Sequence, residues 1–507
     1  MLRDLKNIIY ILIYLFTFLY FYRFFLIYYS YLYSFTPEYV FLFGFISIFI
    51  YSLFNKMTSS DCFWSYVTLM IATICQYLRV LESNNFVNIE LWYSSALSIN
   101  IKIVLLLTVF IVLFFMYMLE DKDSEIFLNF EFLSLILLCV LGIIIFVSSN
   151  NLFVLYLGIE LQSLALYILC CLKRYSNKSV EAGLKYFIYG SYASLVLLLG
   201  ISFLYLTFGT LNLNDINLLI NTFSSNDNNI FLHVGLVCIL IGFFFKLAVS
   251  PFHWWLADIF EGSCDVITFF LAIVPKLPFF FVLYRLDIFL YVNYIYYSYI
   301  LIICSLLSII IGTILALYTV KLKKLFAYSS IVHMGYMLLA LGLSSKIGVA
   351  ISFYYFLIYL LSTINIFSIY LLIKSTHGIV FGNITDLSYL KNSNKLLSIM
   401  AIVSLFSLAG IPPFMGFYGK LFIFNLLIST GNYVICLILL LLSILSCVYY
   451  IRLVRFIFFD DRTEEPIVFQ KTKSSYIYIS ITFFFLLNLV FLFFQEPLLI
   501  HIIYIFS

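Results

Sequence analysis

Long apolar segments follow one another along the whole chain and constrain its fold more than any other feature. The chain has 507 residues, of which 64% are hydrophobic and only 10% are charged, whereas about 25% of the residues of an average soluble protein are charged. Because so few charges cannot cover the surface of a soluble globular protein, that class is excluded. The apolar runs are continuous, and a transmembrane β-barrel has alternating segments of about ten residues instead. The sequence therefore predicts an all-α polytopic membrane protein.

Fifteen segments are candidates for membrane-spanning helices, since about 20 apolar residues cross a bilayer at a rise of about 1.5 Å each. The first is the least regular because Arg23 lies within it, and we leave open whether it spans the bilayer or lies partly in the interface. The candidate spans are 7–30, 36–55, 62–80, 101–119, 131–149, 152–173, 183–206, 231–260, 265–289, 296–319, 322–343, 347–373, 396–424, 431–456 and 475–497.

The basic residues of the short loops indicate the orientation, because Lys and Arg mark the cytoplasmic or matrix side. With the N-terminus on that side, every loop rich in Lys and Arg falls there too. The loop 207–230 has Asp215 and Asp227 but no Lys or Arg, and it falls on the opposite side. Removing any one internal helix breaks this alternation, so the pattern supports both the internal count and the orientation. The marker residues are Arg3, Lys6, Lys173, Arg174, Lys178, Lys321, Lys323, Lys324, Lys374, Lys391, Lys395, Arg452, Arg455 and Arg462.

The candidate spans contain an internal repeat of five helices. In each group the fourth helix is interrupted by proline, at Pro251 in the first and at Pro412-Pro413 in the second. Because five is odd, the second group starts from the opposite face, which predicts two inverted repeats. Lipid cannot satisfy the backbone of a broken helix, so both breaks are expected to face protein or water. The predicted divisions are 1–126 for the N-terminal helices, 127–290 for the first repeat, 291–456 for the second, and 457–507 for a matrix-side loop and a C-terminal helix.

Five titratable residues stand out for their depth inside the predicted spans or for their position beside the helix breaks, namely Glu160, Lys246, Lys276, His333 and Lys420. A charge at the bilayer centre costs about 2.5–3.5 kcal/mol on insertion scales. Glu160 lies about 12 Å deep in its span, and Lys276 and His333 lie about 16 Å deep. Desolvation favours a neutral lysine and a nearby carboxylate favours a charged one, so a buried lysine exchanges its proton when its neighbour changes. Imidazole relays protons near neutral pH, so the set predicts a path for protons.

Each of these residues also has a purely structural interpretation. A lysine can extend from a helix end to the interface, and we prefer that interpretation for Lys102 and Arg285, which lie at the ends of their spans. A single buried histidine is ordinarily a hydrogen-bonded core residue, so the sequence favours a proton relay at His333 only slightly over that interpretation. It favours a role in proton transfer more clearly for Lys246 and Lys276, because both lie deep in apolar segments.

Motifs for other chemistry do not occur in the sequence. The ten cysteines have no C-x-x-C spacing, which predicts free thiols and no zinc or iron–sulfur site. There is no P-loop and no G-x-G-x-x-G, so nucleotide binding is not expected, nor is a nucleic-acid partner. His253, Asp258 and Glu261 form either a surface and capping cluster or a gate at a channel mouth, and their irregular spacing argues against a metal site.

Short motifs around the buried charges occur in one order along residues 127–456. They are Glu160-Leu161-Gln162-Ser163-Leu164, Leu184-Lys185-Tyr186-Phe187, Lys246 with Ser250-Pro251-Phe252-His253, Pro275-Lys276, Lys323-Lys324-Leu325 with Ala327-Tyr328-Ser329-Ser330, His333 with Gly335-Tyr336, and Leu408-Ala409-Gly410-Ile411-Pro412-Pro413 with Lys420. Together they resemble the antiporter-like membrane subunits of respiratory complex I, and most of all the subunit 2 branch. The resemblance implies fourteen helices, so segment 7–30 is an additional one.

The resemblance also implies a role for each buried charge. Glu160 and Lys246 would form an ion pair, Lys276 would be the central proton carrier, and Lys420 would carry protons in the second half-channel. His333 would be the connecting relay. The implied cofactors, NADH, FMN, iron–sulfur clusters and ubiquinone, would belong to other subunits, and this chain would bind none.

The same resemblance implies a multi-pass subunit of the mitochondrial inner membrane. Its expected partners are other membrane-arm subunits, including neighbouring antiporter-like ones, and membrane lipids that include cardiolipin. The 58 Phe and 42 Tyr residues suit an AT-rich organellar genome. Two alternatives stay open: a cation/proton antiporter subunit without a redox partner, and a scaffold subunit without a channel. The set of buried charges argues against the scaffold, because unused charges are costly in a membrane.

Overall fold

In the computed structural model, the described residues are mostly helical. Over the described ranges the backbone forms no strand ladder, only three isolated bridges, such as the one between Trp92 and Ser149. The predicted helix 7–30 lies outside these ranges. The structure describes residues 36–54, 59–83, 91–118, 130–173, 175–222, 230–291, 295–343, 346–375, 382–388, 390–391, 395–459 and 475–506.

The helices follow the predicted spans closely in position. The N-terminal helices are α1 (Thr36–Phe54), α2 (Ser59–Ser83) and α3 (Ala96–Met118). The helices of the first predicted repeat are α4 (Phe130–Ser148), α5 (Leu152–Cys170), α6 (Asn177–Phe208), α7 (Leu213–Thr222), α8 (Ile230–Leu247), α9 (Trp254–Gly262), α10 (Asp265–Ile273) and α11 (Lys276–Tyr291). The remaining helices are α12 (Ile295–Tyr318), α13 (Leu322–Gly342), α14 (Lys346–Ser375), α15 (Lys395–Ala409), α16 (Met415–Ser429), α17 (Tyr433–Phe458), α18 (Ser475–Phe493) and α19 (Gln495–Phe506), with a 3₁₀ turn at Ile384–Ser388.

The described residues contain fewer clear membrane spans than the fifteen predicted. Ten spans in them are long and apolar enough to cross a membrane, with α10 and α11 counted together as one, or eleven if the bent pair α18 and α19 forms one span. The predicted span at 396–424 is divided into α15 and α16, and each part is shorter than a bilayer requires. The last predicted span, 475–497, bends by 83° and continues as α19.

Proline interrupts the helices at both predicted positions and at a third that the prediction missed. Residues 248–253 separate α8 from α9, and residues 410–414 separate α15 from α16. The third break falls between α10 and α11, where Pro275 precedes Lys276. Proline has no amide hydrogen to donate, and its ring clashes with the preceding turn. Each break therefore leaves backbone groups that other parts of the protein must satisfy.

Glycines let neighbouring helices approach each other closely. A Cβ atom added to Gly142 of α4 would lie 2.6 Å from the backbone nitrogen of Gln162 on α5, and one added to Gly158 would lie 2.8 Å from the nitrogen of Phe146. The pair Gly200 and Gly235 brings α6 and α8 together in the same way. Small residues are the usual means of such contacts between membrane helices, where packing replaces the hydrophobic effect.

We expect Gly142→Ala to destabilise the assembled protein, because its methyl group would collide with backbone atoms that cannot rotate away. Overpacking of this kind costs about 1–3 kcal/mol. The matched control is Gly382→Ala, since a Cβ atom at Gly382 meets no atom within 4 Å. The thermal stability of both variants is measured by heating the detergent-solubilised protein and following the loss of folded protein. Equal stability of the two would contradict the helix packing described above.

Candidate functional site

All three lysines predicted to carry protons are buried beside helix breaks. Lys246 is the second-last residue of α8 and is 9% exposed, and Lys276 is the first residue of α11 and is 4% exposed. Lys420 is also 4% exposed, and its Nζ donates a hydrogen bond of 2.6 Å to the carbonyl oxygen of Ala409 at the end of α15. The carbonyl end of a helix attracts cations, so the break provides a site for the ammonium group.

The backbone at the second break is shaped around Lys420. Gly410 has a φ of 77°, which favours glycine. A Cβ atom at this position would lie 2.8 Å from Cδ of Lys420. The glycine therefore supplies both the turn that ends α15 and the space that the lysine side chain occupies.

Lys246 contacts a tyrosine rather than the predicted carboxylate. Its Nζ lies 3.2 Å from the hydroxyl of Tyr167 on α5 and 5.6 Å from the centre of that ring. Glu160 attracts Lys246 electrostatically, but among the described residues the two form no ion pair, and Glu160 Oε1 is buried without a hydrogen-bond partner. The implied Glu160–Lys246 ion pair is therefore not a direct contact here, because Tyr167 provides the hydroxyl and ring that Lys246 contacts.

Lys276 also contacts a tyrosine, which belongs to the second group of helices. Its Nζ lies 3.5 Å from the hydroxyl of Tyr359 on α14 and 5.6 Å from the ring centre. The same hydroxyl lies 3.4 Å from the carbonyl oxygen of Ala272, near the end of α10. Tyr359 thus joins Lys276 to one of the helix ends created by the break at Pro275.

His333 lies between Lys276 and Lys420, and both interact with its imidazole electrostatically. Its Nδ1 is 2.9 Å from the hydroxyl of Tyr355, and its Nε2 is 2.9 Å from the hydroxyl of Tyr450. In a neutral imidazole one nitrogen donates and the other accepts, and the tautomer decides which. Both ring nitrogens therefore have the partners that a proton relay needs, and the same bonds also satisfy a core histidine.

Tyrosine side chains continue from His333 to Lys420. The His333 ring lies 5.9 Å from the ring of Tyr355, which lies 6.0 Å from that of Tyr336. Lys420 Nζ is 5.4 Å from the centre of the Tyr336 ring and 3.3 Å from Oγ of Ser446. A buried polar series thus extends from Lys276 through Tyr359 and His333 to Lys420. We call this series the lysine–tyrosine chain.

The tyrosines of this chain were not predicted as site residues. Tyr355 and Tyr359 are four residues apart on α14 and so lie on the same face of that helix. Two tyrosines at this spacing in a membrane helix are a usable signal, but the many tyrosines of this sequence make such a pair common. Between Lys246 and Lys276, in contrast, no side-chain hydrogen bond links the two lysines among the described contacts.

Lys102 and Arg285 do not extend to the interface as predicted. Lys102 is 1% exposed, and its Nζ lies 2.5 Å from Oε1 of Glu38 on α1. Arg285 is buried, donates a hydrogen bond of 2.7 Å to the carbonyl oxygen of Ser149, and stacks 4.0 Å from the ring centre of Tyr93. The prediction was wrong because partners on distant segments keep both cations inside the protein.

His253, Asp258 and Glu261 do not form one cluster with a common ligand. Asp258 and Glu261 both pair with Lys324 of α13, at 3.4 and 2.9 Å. His253 precedes the first turn of α9 without a side-chain capping bond. The described residues contain no group of three His, Cys, Asp or Glu side chains that could hold a metal ion. The two carboxylates therefore favour the surface-cluster interpretation.

Comparison with known proteins gives matches over most of this chain. The family model described as NADH:quinone oxidoreductase/Mrp antiporter, TM, matches residues 149–446. NADH-quinone oxidoreductase subunit N of Pelagibacter ubique is 39% identical over 379 residues, which are 75% of this chain and 78% of that protein. NADH-ubiquinone oxidoreductase chain 2 of Marchantia polymorpha is 35% identical over 378 residues, 73% of this chain and 76% of that protein.

A solved structure has the same fold. A chain in the structure of respiratory complex I from Thermus thermophilus with bound aureothin aligns with a TM-score of 0.76 and 23% identity. The alignment covers 92% of this chain and 98% of that chain. The likeness therefore includes the N-terminal helices, which lie outside the segment that the family model matches.

We expect Lys102→Met to destabilise the protein strongly, because it leaves the partly buried carboxylate of Glu38 without its partner. Breaking a buried ion pair costs about 3–5 kcal/mol. The double variant with Glu38→Leu is expected to recover most of the loss, since it removes both charges. The thermal stability of the solubilised protein is measured for each single variant and for the double variant. Wild-type stability of Lys102→Met alone would contradict the buried pair.

Proposed function

The chain belongs to the NADH:quinone oxidoreductase/Mrp antiporter family of membrane proteins, and on this basis we propose that it translocates protons as a membrane-arm subunit of a respiratory NADH:quinone oxidoreductase. Family membership rests on a match that covers more than half of the chain. The relatives at 35% and 39% identity are chain 2 and subunit N of such enzymes. The resemblance to the subunit 2 branch is thereby confirmed.

The observation that carries the proposal is the lysine–tyrosine chain. Its members are buried within an apolar helix bundle, and they lie in contact or near contact from Lys276 to Lys420. A tyrosine hydroxyl can accept a proton on its oxygen while it donates its own. His333 can likewise take a proton at one nitrogen and release one from the other. These groups and intervening water supply the steps that a proton needs across the bundle.

The proposed sequence of steps begins at Glu160. A neighbouring subunit changes the position or charge of Glu160, which changes its attraction for Lys246. Lys246 then exchanges a proton with Lys276 through water, because no side-chain hydrogen bond connects them in the described residues. From Lys276 the proton passes by Tyr359 and His333 to Lys420.

Electrostatic energies inside the protein are large enough to drive the proposed proton-transfer steps. Two unit charges about 4 Å apart interact by about 4 kcal/mol at an effective dielectric constant near 20. Moving one charge against about 100 mV takes about 2.3 kcal/mol. A unit charge that approaches a buried lysine to about 4 Å would therefore supply more energy than moving one proton across the membrane requires.

We further propose that the two groups of helices are inverted repeats. In support, α4 packs on α5 as α12 packs on α13, and both groups have a break at the predicted proline of the fourth helix. The third break, at Pro275, is particular to the first group. It places Lys276 at the junction between the two groups, where it reaches Tyr359 of the second.

We further propose a setting for the chain, which its similarity to NADH-ubiquinone oxidoreductase chain 2 of Marchantia polymorpha supports. We assign the chain to the mitochondrial inner membrane, with other membrane-arm subunits as partners and NADH, FMN, iron–sulfur clusters and ubiquinone bound by those other parts of the complex. Lipids, cardiolipin among them, are proposed to cover exposed apolar faces such as that of α17, where Leu437, Leu441 and Ile444 are exposed.

The competing function is a cation/proton antiporter without a redox partner, and the native complex of such a protein would lack flavin and iron–sulfur absorbance.

We expect Lys276→Met to reduce proton pumping coupled to NADH oxidation by about tenfold or more, because a thioether cannot accept a proton and general acid–base groups contribute about 100-fold or more. Methionine fills the space of the lysine, and replacing a buried charge by an apolar group is often neutral for stability. Assembly should therefore persist. Membrane vesicles that contain the complex allow pumping and NADH oxidation to be measured together.

Lys321→Gln is the control for this experiment, since it removes a lysine that is 47% exposed and lies outside the chain of buried groups. Its pumping should equal that of the unmodified protein. Normal pumping by a fully assembled Lys276→Met complex would overturn the proposed function.

A further inference from the structure

Lysines at the start of α13 form ion pairs and a hydrogen bond with the segment where α9 ends and α10 begins. We call residues Gly262–Asp265 the corner. Lys323 Nζ lies 2.6 Å from Oδ1 of Asp265 and donates a hydrogen bond of 2.6 Å to the carbonyl oxygen of Ser263. Lys324 binds Glu261 at 2.9 Å, and Lys321 binds the same carboxylate. The lysines belong to the second group of helices and the corner to the first.

The Lys323–Asp265 pair differs from the others by its burial. Asp265 is 5% exposed and Lys323 is 17% exposed, whereas Lys321 is 47% exposed. The hydroxyl of Tyr370 on α14 lies 3.5 Å from Oδ1 of Asp265. Exposed ion pairs contribute little to stability, but removing one partner of a buried pair leaves an uncompensated charge. The inner pair is therefore the one that holds the corner.

The corner is fixed on its other side by α6. A Cβ atom added to Gly262 would collide with the carbonyl oxygen of Lys178 and would lie 2.6 Å from Cβ of Ala182. The corner thus lies between the backbone of α6 and the lysines of α13. A displacement of α13 against α6 would have to move the corner or break one of these contacts.

Each helix that leaves the corner has, near its far end, a contact with a residue next to or bonded to a buried lysine of the first group. At the start of α9, Trp255 Nε1 donates a hydrogen bond of 3.1 Å to the carbonyl oxygen of Phe245, the residue before Lys246. At the end of α10, the carbonyl oxygen of Ala272 lies 3.4 Å from the Tyr359 hydroxyl that contacts Lys276. Both helices have only nine residues, so the corner is two to three helical turns from each of these contacts.

We propose that the Lys323–Asp265 pair is a clamp between the two groups of helices that positions Lys246 and Lys276 relative to each other for proton transfer. The inference rests on the proposed function. Asp265 and Lys323 act as positioning residues, because neither touches the lysine–tyrosine chain directly. The clamp sets the separation that water must bridge between Lys246 and Lys276, for which the described side chains provide no hydrogen-bonded link.

The test compares Asp265→Asn with Asp265→Glu and Lys323→Arg in the assembled complex. Asp265→Asn is expected to lower the number of protons pumped per NADH oxidised by about threefold, a change within the range found for coupling residues. The two conservative variants keep the charges and should restore most of the pumping. A purely structural role would lower the amount of complex and leave the ratio of protons to NADH unchanged, and that result would overturn the clamp.

Hydrogen–deuterium exchange gives a second measurement that does not depend on activity. In Asp265→Asn, peptides that cover residues 254–276 should exchange faster, and those of α17 should not. Unchanged exchange at 254–276 would overturn the clamp even if pumping fell. If Asp265→Asn does not assemble, Tyr370→Phe removes only the hydroxyl contact and is expected to produce the same changes more weakly. A Tyr370→Phe complex with normal exchange and pumping would then overturn the clamp.

Lys276→Met and Lys321→Gln, measured in parallel, separate this proposal from the proposed function. Loss of pumping in Lys276→Met with a normal Asp265→Asn protein rejects the clamp alone. Normal pumping in Lys276→Met rejects the proposed function and, with it, the clamp. Lys321→Gln removes a charge from the same lysine run at its exposed end, and loss of coupling there would also overturn the special role of Lys323.

Discussion

The cost of keeping ammonium groups away from water governs this structure. A cation inside a membrane protein needs partners that compensate for its lost hydration, and Lys246, Lys276 and Lys420 find theirs in tyrosine hydroxyls, aromatic faces and a free helix carbonyl. None of these partners carries a full negative charge. A lysine held in this way can lose its proton without leaving a buried carboxylate behind, which a tight ion pair would prevent.

The helix breaks also provide partners for the buried ammonium groups, and the glycine contacts hold the surrounding helices together. A continuous helix uses all its internal carbonyl groups, so a free one such as that of Ala409 exists only where the helix stops. The glycines let α4 pack closely on α5 and α6 on α8. Buried polar contacts follow the series from Lys276 to Lys420 and also occur at Lys102 and Arg285. The corner held by Lys323 adds a second link between the two groups of helices, at the opposite end of α10 from the contact between Lys276 and Tyr359.

Local features of the sequence were sufficient to predict the class of fold, the helix positions, two of the three breaks and the burial of all three lysines. Hydropathy and the effect of proline on a helix depend on residues close together in the sequence, so both can be recognised from one sequence. The partners of Lys102 and Arg285 lie on segments 64 and 136 residues away, and no local pattern identifies them. The separation of Glu160 from Lys246 was missed for the same reason, since Tyr167 occupies the contact. The break at Pro275 lies within a segment that is continuously apolar, so hydropathy alone does not predict it.

The account depends on water that joins the buried groups into one path. An experimental density map of the assembled complex that resolves ordered water is the most direct test. The account predicts water molecules between Lys246 and Lys276 and further ones beside His333, so that the hydrogen-bonded series reaches Lys420. Dry apolar packing between these side chains, with the lysines directed separately toward the lipid headgroups, would contradict it.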